Sequence, residues 1–242
     1  MHFTLVLAAI PAVVSGLAYN PFRLPGFAPT KTSNSKRADT WGGAVSLGPS
    51  KSTIIKAVTT ITPGTAPTGQ TGELFLWPGM SNGTGDLVQT TLESWPDNSW
   101  CGATAGQWCI RCSLFGSFGQ LDGPSAPVSG NQKVEIKYEL ASDGQTWVQT
   151  ATDVASKKQL STFSYKSGPY MRGYGTGTEC DGGCKGTVAA QTYENTVITL
   201  ASADSTFGNT ISTSQGATYS GLSNTGSGKV WTIAKINVPK MN

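Results

Sequence analysis

Acid–base chemistry in this chain is expected to fall to carboxylates, amides, hydroxyls or lysines, because its single histidine, His2, lies in a segment that reads as a secretory leader. Without a histidine, the Ser-His-Asp and Cys-His arrangements and every His-dependent zinc site are excluded. Two polar residues stand inside strand-like runs. Gln89 lies in Asp86-Leu-Val-Gln-Thr-Thr-Leu-Glu-Ser94, where alternation puts Leu87, Gln89, Thr91 and Glu93 on one face and Val88, Thr90 and Leu92 on the other. Glu194 lies in Ala189-Ala-Gln-Thr-Tyr-Glu-Asn-Thr-Val197, and alternation puts it on the face of Thr192 and Thr196. An amide and a carboxylate brought together on one surface could activate a water and stabilise the oxyanion that its attack creates. A different chemistry, glycoside cleavage by two carboxylates, has Glu93, Glu179 and Glu194 as its candidates.

The elements that must position these residues are strands. Gly, Ser and Thr are abundant, helix-forming runs are missing, and short alternating segments recur between turn clusters, a pattern that predicts an all-β fold. Lys133-Val-Glu-Ile-Lys-Tyr-Glu-Leu140 alternates charged and apolar residues, Asp143-Gly144 marks a turn into Thr146–Thr152, and Leu160–Tyr165 completes a three-stranded meander. Further strands are expected at 41–47, 53–61, 73–77, 87–93, 190–200 and 230–238, with the Gly-, Ser- and Pro-rich stretches 94–130 and 201–228 as long loops.

Residues 1–18 read as a signal peptide, with a short apolar run and the small residues Gly16-Leu17-Ala18, too short for a membrane span. Residues 19–37 read as a pro-segment that ends at the dibasic pair Lys36-Arg37, leaving 38–242 as one domain, secreted and extracellular. Of the 17 Lys and Arg residues, four (Arg23, Lys31, Lys36 and Arg37) precede residue 38, so the remaining chain sets thirteen basic against 14 acidic side chains. A basic footprint for nucleic acid or an anionic membrane is therefore absent.

All five cysteines follow the processing site. Cys180-Asp-Gly-Gly-Cys184 is suited to a tight disulfide loop, and Cys101 pairs with Cys109 or Cys112. The Cys109-Ile-Arg-Cys112 spacing has no second pair to complete a zinc site, which favours a structural bridge. Asn82-Gly-Thr is a glycosylation sequon. No metal or cofactor is expected.

Three motifs resemble the eqolisins, the glutamic peptidases secreted by filamentous fungi. Thr40-Trp41-Gly42-Gly43-Ala44 is similar to the opening of the mature family members, Leu87-Val88-Gln89-Thr90 to the segment that carries their catalytic glutamine, and Ala189 to Glu194 to the segment that ends in their catalytic glutamate. The resemblance runs over residues 39–238. It implies an antiparallel two-sheet β-sandwich of the concanavalin A-like jelly-roll kind, with Gln89 and Glu194 as catalytic residues and Trp41, Trp77, Thr91 and Thr192 along the substrate groove. The glutamate would serve as general base and then acid, the glutamine as oxyanion donor, and the substrate would be a polypeptide. The chain departs from the family in lacking a carboxylate in Leu76–Ser81, in having Asn195-Thr196 after Glu194, in the segment Trp100–Cys112 that replaces expected aromatic residues, and in a Gln89-to-Glu194 spacing about twenty residues longer, of the kind loop variation produces. The same sandwich class also serves carbohydrate-binding and carbohydrate-cleaving proteins, for which Trp77, Trp95, Trp100 and Trp108 would stack on a polysaccharide. A non-catalytic effector or inhibitor directed at a host extracellular protein is the third reading.

Overall fold

The computed structural model describes residues 39–83, 85–185 and 187–242, so the signal peptide and pro-segment lie outside the described residues. In chain order the strands are β1 (Thr40–Trp41), β2 (Ala44–Leu47), β3 (Ile54–Thr62), β4 (Thr71–Ser81), β5 (Leu87–Ser94), β6 (Gln107–Gly116), β7 (Gly119–Asp122), β8 (Ala126–Ser129), β9 (Val134–Leu140), β10 (Trp147–Asp153), β11 (Gln159–Tyr165), β12 (Gly173–Lys185), β13 (Gln191–Leu200), β14 (Ser212–Ser214), β15 (Thr218–Ser220), β16 (Ser223–Thr225) and β17 (Val230–Val238). They form two antiparallel sheets packed face to face. Sheet I runs β14-β2-β12-β4-β5-β6-β7, with β1 against β12 and β8 against β6; sheet II runs β11-β10-β9-β3-β13-β17-β15, with β16 also on β17.

Period-two alternation explains why the sheets pair. Val88 and Leu92 of β5 and Leu74, Leu76 and Met80 of β4 point inward and are buried against Ile61, Ile136, Tyr138, Tyr193 and Ile198 of sheet II. Buried polar groups between the layers are paired: the Tyr138 hydroxyl donates to the Pro78 carbonyl at 2.7 Å and the Gln149 amide to the Ser113 carbonyl at 2.8 Å.

Two segments differ from the sequence expectation. The stretch 94–130 carries β6, β7 and β8 as well as loops, because Trp108, Ile110, Cys112 and Leu114 alternate into the core while Arg111 points out. The thirteen-residue β12 has glycine at 173, 175 and 177 and shows no apolar alternation, yet it forms the centre of sheet I between β2 and β4.

Both expected disulfides are present, and Cys101 takes Cys109: Cys101–Cys109 at 2.02 Å and Cys180–Cys184 at 2.10 Å. Cys112 is left free and buried, and burial pushes its thiol up to about 11, which keeps it unreactive. The first bridge ties the short 3-10 turn Ser99–Cys101 to β6 across eight residues. Replacing Cys101 and Cys109 by serine should lower the unfolding free energy by about 2 kcal/mol, measured by urea denaturation, with the loss set by a short closed loop.

Candidate functional site

The outward face of sheet I gathers most of the chemistry in the molecule. Register places Trp41 of β1 opposite Glu179 of β12, Glu179 opposite Phe75 of β4, and Phe75 opposite Glu93 of β5. Glu179 is thus flanked by an aromatic residue on each neighbouring strand. The Trp77 indole Nε1 lies 3.4 Å from Glu179 Oε2, and the Trp41 and Trp77 rings meet edge-on at 6.4 Å. The Glu179 carboxylate thus has rings on both sides and an indole N–H within hydrogen-bond reach.

Gln89 lies on the same face. It is opposite Gly79 of β4, which is opposite Gly175 of β12, so Gln89 and Glu179 are two strands and four residues apart. By standard sheet spacings that is on the order of 16 Å between Cα atoms. Gln89 is 6% exposed, and no hydrogen bond among the described residues takes up its side-chain amide. Trp77 and Gly177 lie between their two rows on this face.

The neighbouring carboxylate, Glu93, is committed to structure. It is fully buried and accepts from Arg111 Nε and Nη2, both at 2.8 Å, from the Thr91 hydroxyl at 2.6 Å and from Trp95 Nε1 at 3.1 Å. Arg111 also pairs with Asp122 at 2.8 Å, and its guanidinium lies 4.9 Å from the Trp100 ring and 6.0 Å from that of Trp95. Burial works against the Arg111 charge, but the bond to Glu93 and the fields of Glu93, Asp122 and Glu73 outweigh it and raise its pKa above the ordinary value. With its lone pairs engaged in this way, Glu93 is poorly placed to act as a proton donor in glycoside cleavage.

The remaining expected site residues divide between the faces. Trp41, Trp77 and Thr91 lie on the outer face of sheet I with Gln89, and the Thr91 hydroxyl serves Glu93. Glu194 does not join them. It belongs to β13 in sheet II, on that sheet's outer surface, where its carboxylate meets Lys133 Nζ at 2.6 Å. The Lys133 bond holds the Glu194 carboxyl below the usual carboxylate range. Thr192 is also in sheet II, while a register shift between Glu194 and Val197, with Asn195 at φ 53°, turns Thr196 inward to bond Thr59. This bulge breaks the alternation that placed Thr196 beside Glu194. Of the four proposed sugar-stacking tryptophans, Trp108 is core, Trp77 and Trp95 belong to the outer face of sheet I, and Trp100 is 39% exposed. Asn82 follows β4 in a partly exposed turn, where its side-chain oxygen accepts the Gly85 amide at 2.6 Å.

Glu179, which the motif reading did not place beside Gln89, is a carboxylate that shares this face with it, fifteen residues nearer in sequence than Glu194.

Among solved structures, the fold is similar to scytalido-glutamic peptidase bound to a transition-state analogue inhibitor, at 12% identity and a TM-score of 0.53, covering 83% of this chain and 98% of that one. It is also matched to SCP-B, an eqolisin-family peptidase in complex with the tripeptide Ala-Ile-His (11% identity, TM-score 0.47, 83% and 98% covered), and to the Caenorhabditis elegans galectin LEC-6 (10% identity, TM-score 0.30, 64% and 100% covered). No family model and no curated protein matches the sequence. At such identities the likeness concerns the fold.

Proposed function

We propose that the chain is a secreted acid endopeptidase of glutamic-peptidase type that works on the outer face of sheet I, with Glu179 as general base and Gln89 as oxyanion donor. The observation that carries this reading is the shared face: Glu179, Trp77, Trp41 and Gln89 lie on one sheet surface, whereas Glu194 lies on the other sheet. Glu179 would take a proton from a water as it attacks the peptide carbonyl and return it to the leaving amine. The Gln89 amide would donate to the oxygen on which charge develops.

Secretion is supported by the disulfides, which form in oxidising compartments. Incubating the processed protein with a denatured protein at acidic pH should produce peptides with new amino termini, in the presence of chelators and thiol reagents alike. Absence of cleavage across the acidic range would defeat the peptidase reading.

The second reading, carbohydrate binding, is favoured by one observation: Trp100, exposed and mounted on a disulfide-tied turn above Arg111, has the form of a stacking platform. A glycan array that stays blank with the processed protein would remove it.

A further inference from the structure

Trp77 lies against a surface with no side chain. A Cβ built on Gly177 would stand 2.4 Å from both Cε2 and Cζ2 of the Trp77 ring and 2.9 Å from Cδ2, closer than any real contact. On the ring's other flank, a Cβ at Gly79 would lie 3.3 Å from Trp77 Cε3. Neither glycine has a positive φ, so neither is required by the backbone conformation. Gly177 is required by the room the indole takes, whereas at Gly79 the tightest neighbour is Leu87 Cδ1 at 3.0 Å. Trp77 is 2% exposed and Trp41 closes one edge, so the ring cannot swing away cheaply.

The consequence reaches the carboxylate. Gly177 and Glu179 are two residues apart on β12 and so share a face, and Trp77 lies directly opposite Gly177 in register. The ring therefore lies flat over the strand that carries Glu179, with its Nε1 turned toward Oε2. We propose that Gly177 is a positioning residue: its missing side chain forms the notch that seats the Trp77 indole, and the seated indole fixes the orientation and proton affinity of Glu179. This inference rests on the reading of Glu179 as the general base. An alanine at 177 would lift the ring from β12 and move the indole N–H away from the carboxylate without touching either group chemically.

Among the described residues, the charged groups that register places near Glu179 are Asp39 before β1, Asp181 on its own strand, Glu73 on β4 and, beyond Phe75, Glu93 with Arg111. The test leaves all of them in place. The Glu179 carboxyl is followed by carbon NMR across pH in the processed wild-type protein, in Trp77→Phe, in Gly177→Ala and in the double variant, with near-ultraviolet circular dichroism reporting the indole. Loss of a hydrogen bond to the charged form should raise the Glu179 midpoint by about half a unit to one unit in Trp77→Phe. Gly177→Ala should move it in the same direction and alter the aromatic dichroism. The double variant should move it no further than Trp77→Phe alone, because both changes break one linkage.

An unmoved midpoint in Trp77→Phe, or shifts that simply add in the double variant, would overturn the proposal. Trp77→Phe keeps a ring in the notch, so the test survives if Gly177→Ala does not fold. Its outcome is separable from that of the peptidase reading, which fails on absence of hydrolysis whatever the titration shows.

Discussion

Glu179→Gln should abolish hydrolysis, lowering kcat/KM at acidic pH by at least about a hundredfold, while Glu194→Gln should leave it within about twofold. The first figure is the usual contribution of a positioned general base. Glutamine keeps the shape of the side chain and a hydrogen-bonding end, so the change removes the proton acceptor and little else. The second figure follows from where Glu194 lies: its carboxylate, 28% exposed, is engaged with Lys133, itself 52% exposed, on the sheet opposite the aromatic face. An exposed pair of that kind contributes under about 1 kcal/mol to stability. Because the pair depresses the folded-state pKa of Glu194, that small contribution is present above the unfolded pKa and is lost as the pH falls through the folded one. Glu194→Gln is therefore a control for folding in acid. Gln89→Glu, which puts a carboxylate where the oxyanion forms, should cost about a hundredfold or more. Steady-state kinetics on a quenched fluorescent peptide, with each variant's far-ultraviolet dichroism matched to wild type, decides the matter. Retained activity in Glu179→Gln, or its loss in Glu194→Gln, would return the catalytic role to sheet II.

Alternation was legible wherever one face of a strand is apolar. Val88, Thr90 and Leu92 turn inward and Gln89, Thr91 and Glu93 outward, as period two requires, and the β9–β10–β11 meander falls where its charged and apolar residues alternate. The strand that carries Glu179 was illegible for a physical reason. Its outward positions 173, 175 and 177 are glycines, the last leaving room for the Trp77 ring, so the hydrophobic signal that marks a strand is absent from Gly173–Lys185. Its pairing comes from the backbone ladders with β4 and β2, which a single sequence does not display. The sheet that Glu194 joins is hidden in the sequence by the opposite mechanism. The residue sits in a strand with clear alternation, but nothing in Ala189–Val197 states which sheet the strand joins or that Asn195 bulges.

Arg111→Met should be the most damaging single change on the outer face that spares the proposed catalytic pair. The Arg111 side chain is 18% exposed and the Glu93 side chain wholly buried, and the guanidinium meets both carboxylate oxygens. Removing the cation leaves a buried charge with only the Thr91 hydroxyl and the Trp95 indole, and breaking such a pair costs about 3 kcal/mol or more. For a domain of this size that lowers Tm by on the order of 10 °C. The loss should be greatest near neutral pH. In the variant, a carboxyl without its cation binds a proton more tightly in the folded chain than in the unfolded one, so folded-state stability is favoured at low pH and lost as pH rises. The gap between wild type and Arg111→Met should accordingly narrow toward acid, and Arg111→Met/Glu93→Gln should recover much of the loss, since no charge is then left buried. Asp122, the third member, is 21% exposed and can be rehydrated. Urea unfolding at several pH values measures all of this. A gap independent of pH, with no recovery in the double variant, would mean that Arg111 contributes through packing against Trp100 and Trp95 and that its charge is secondary.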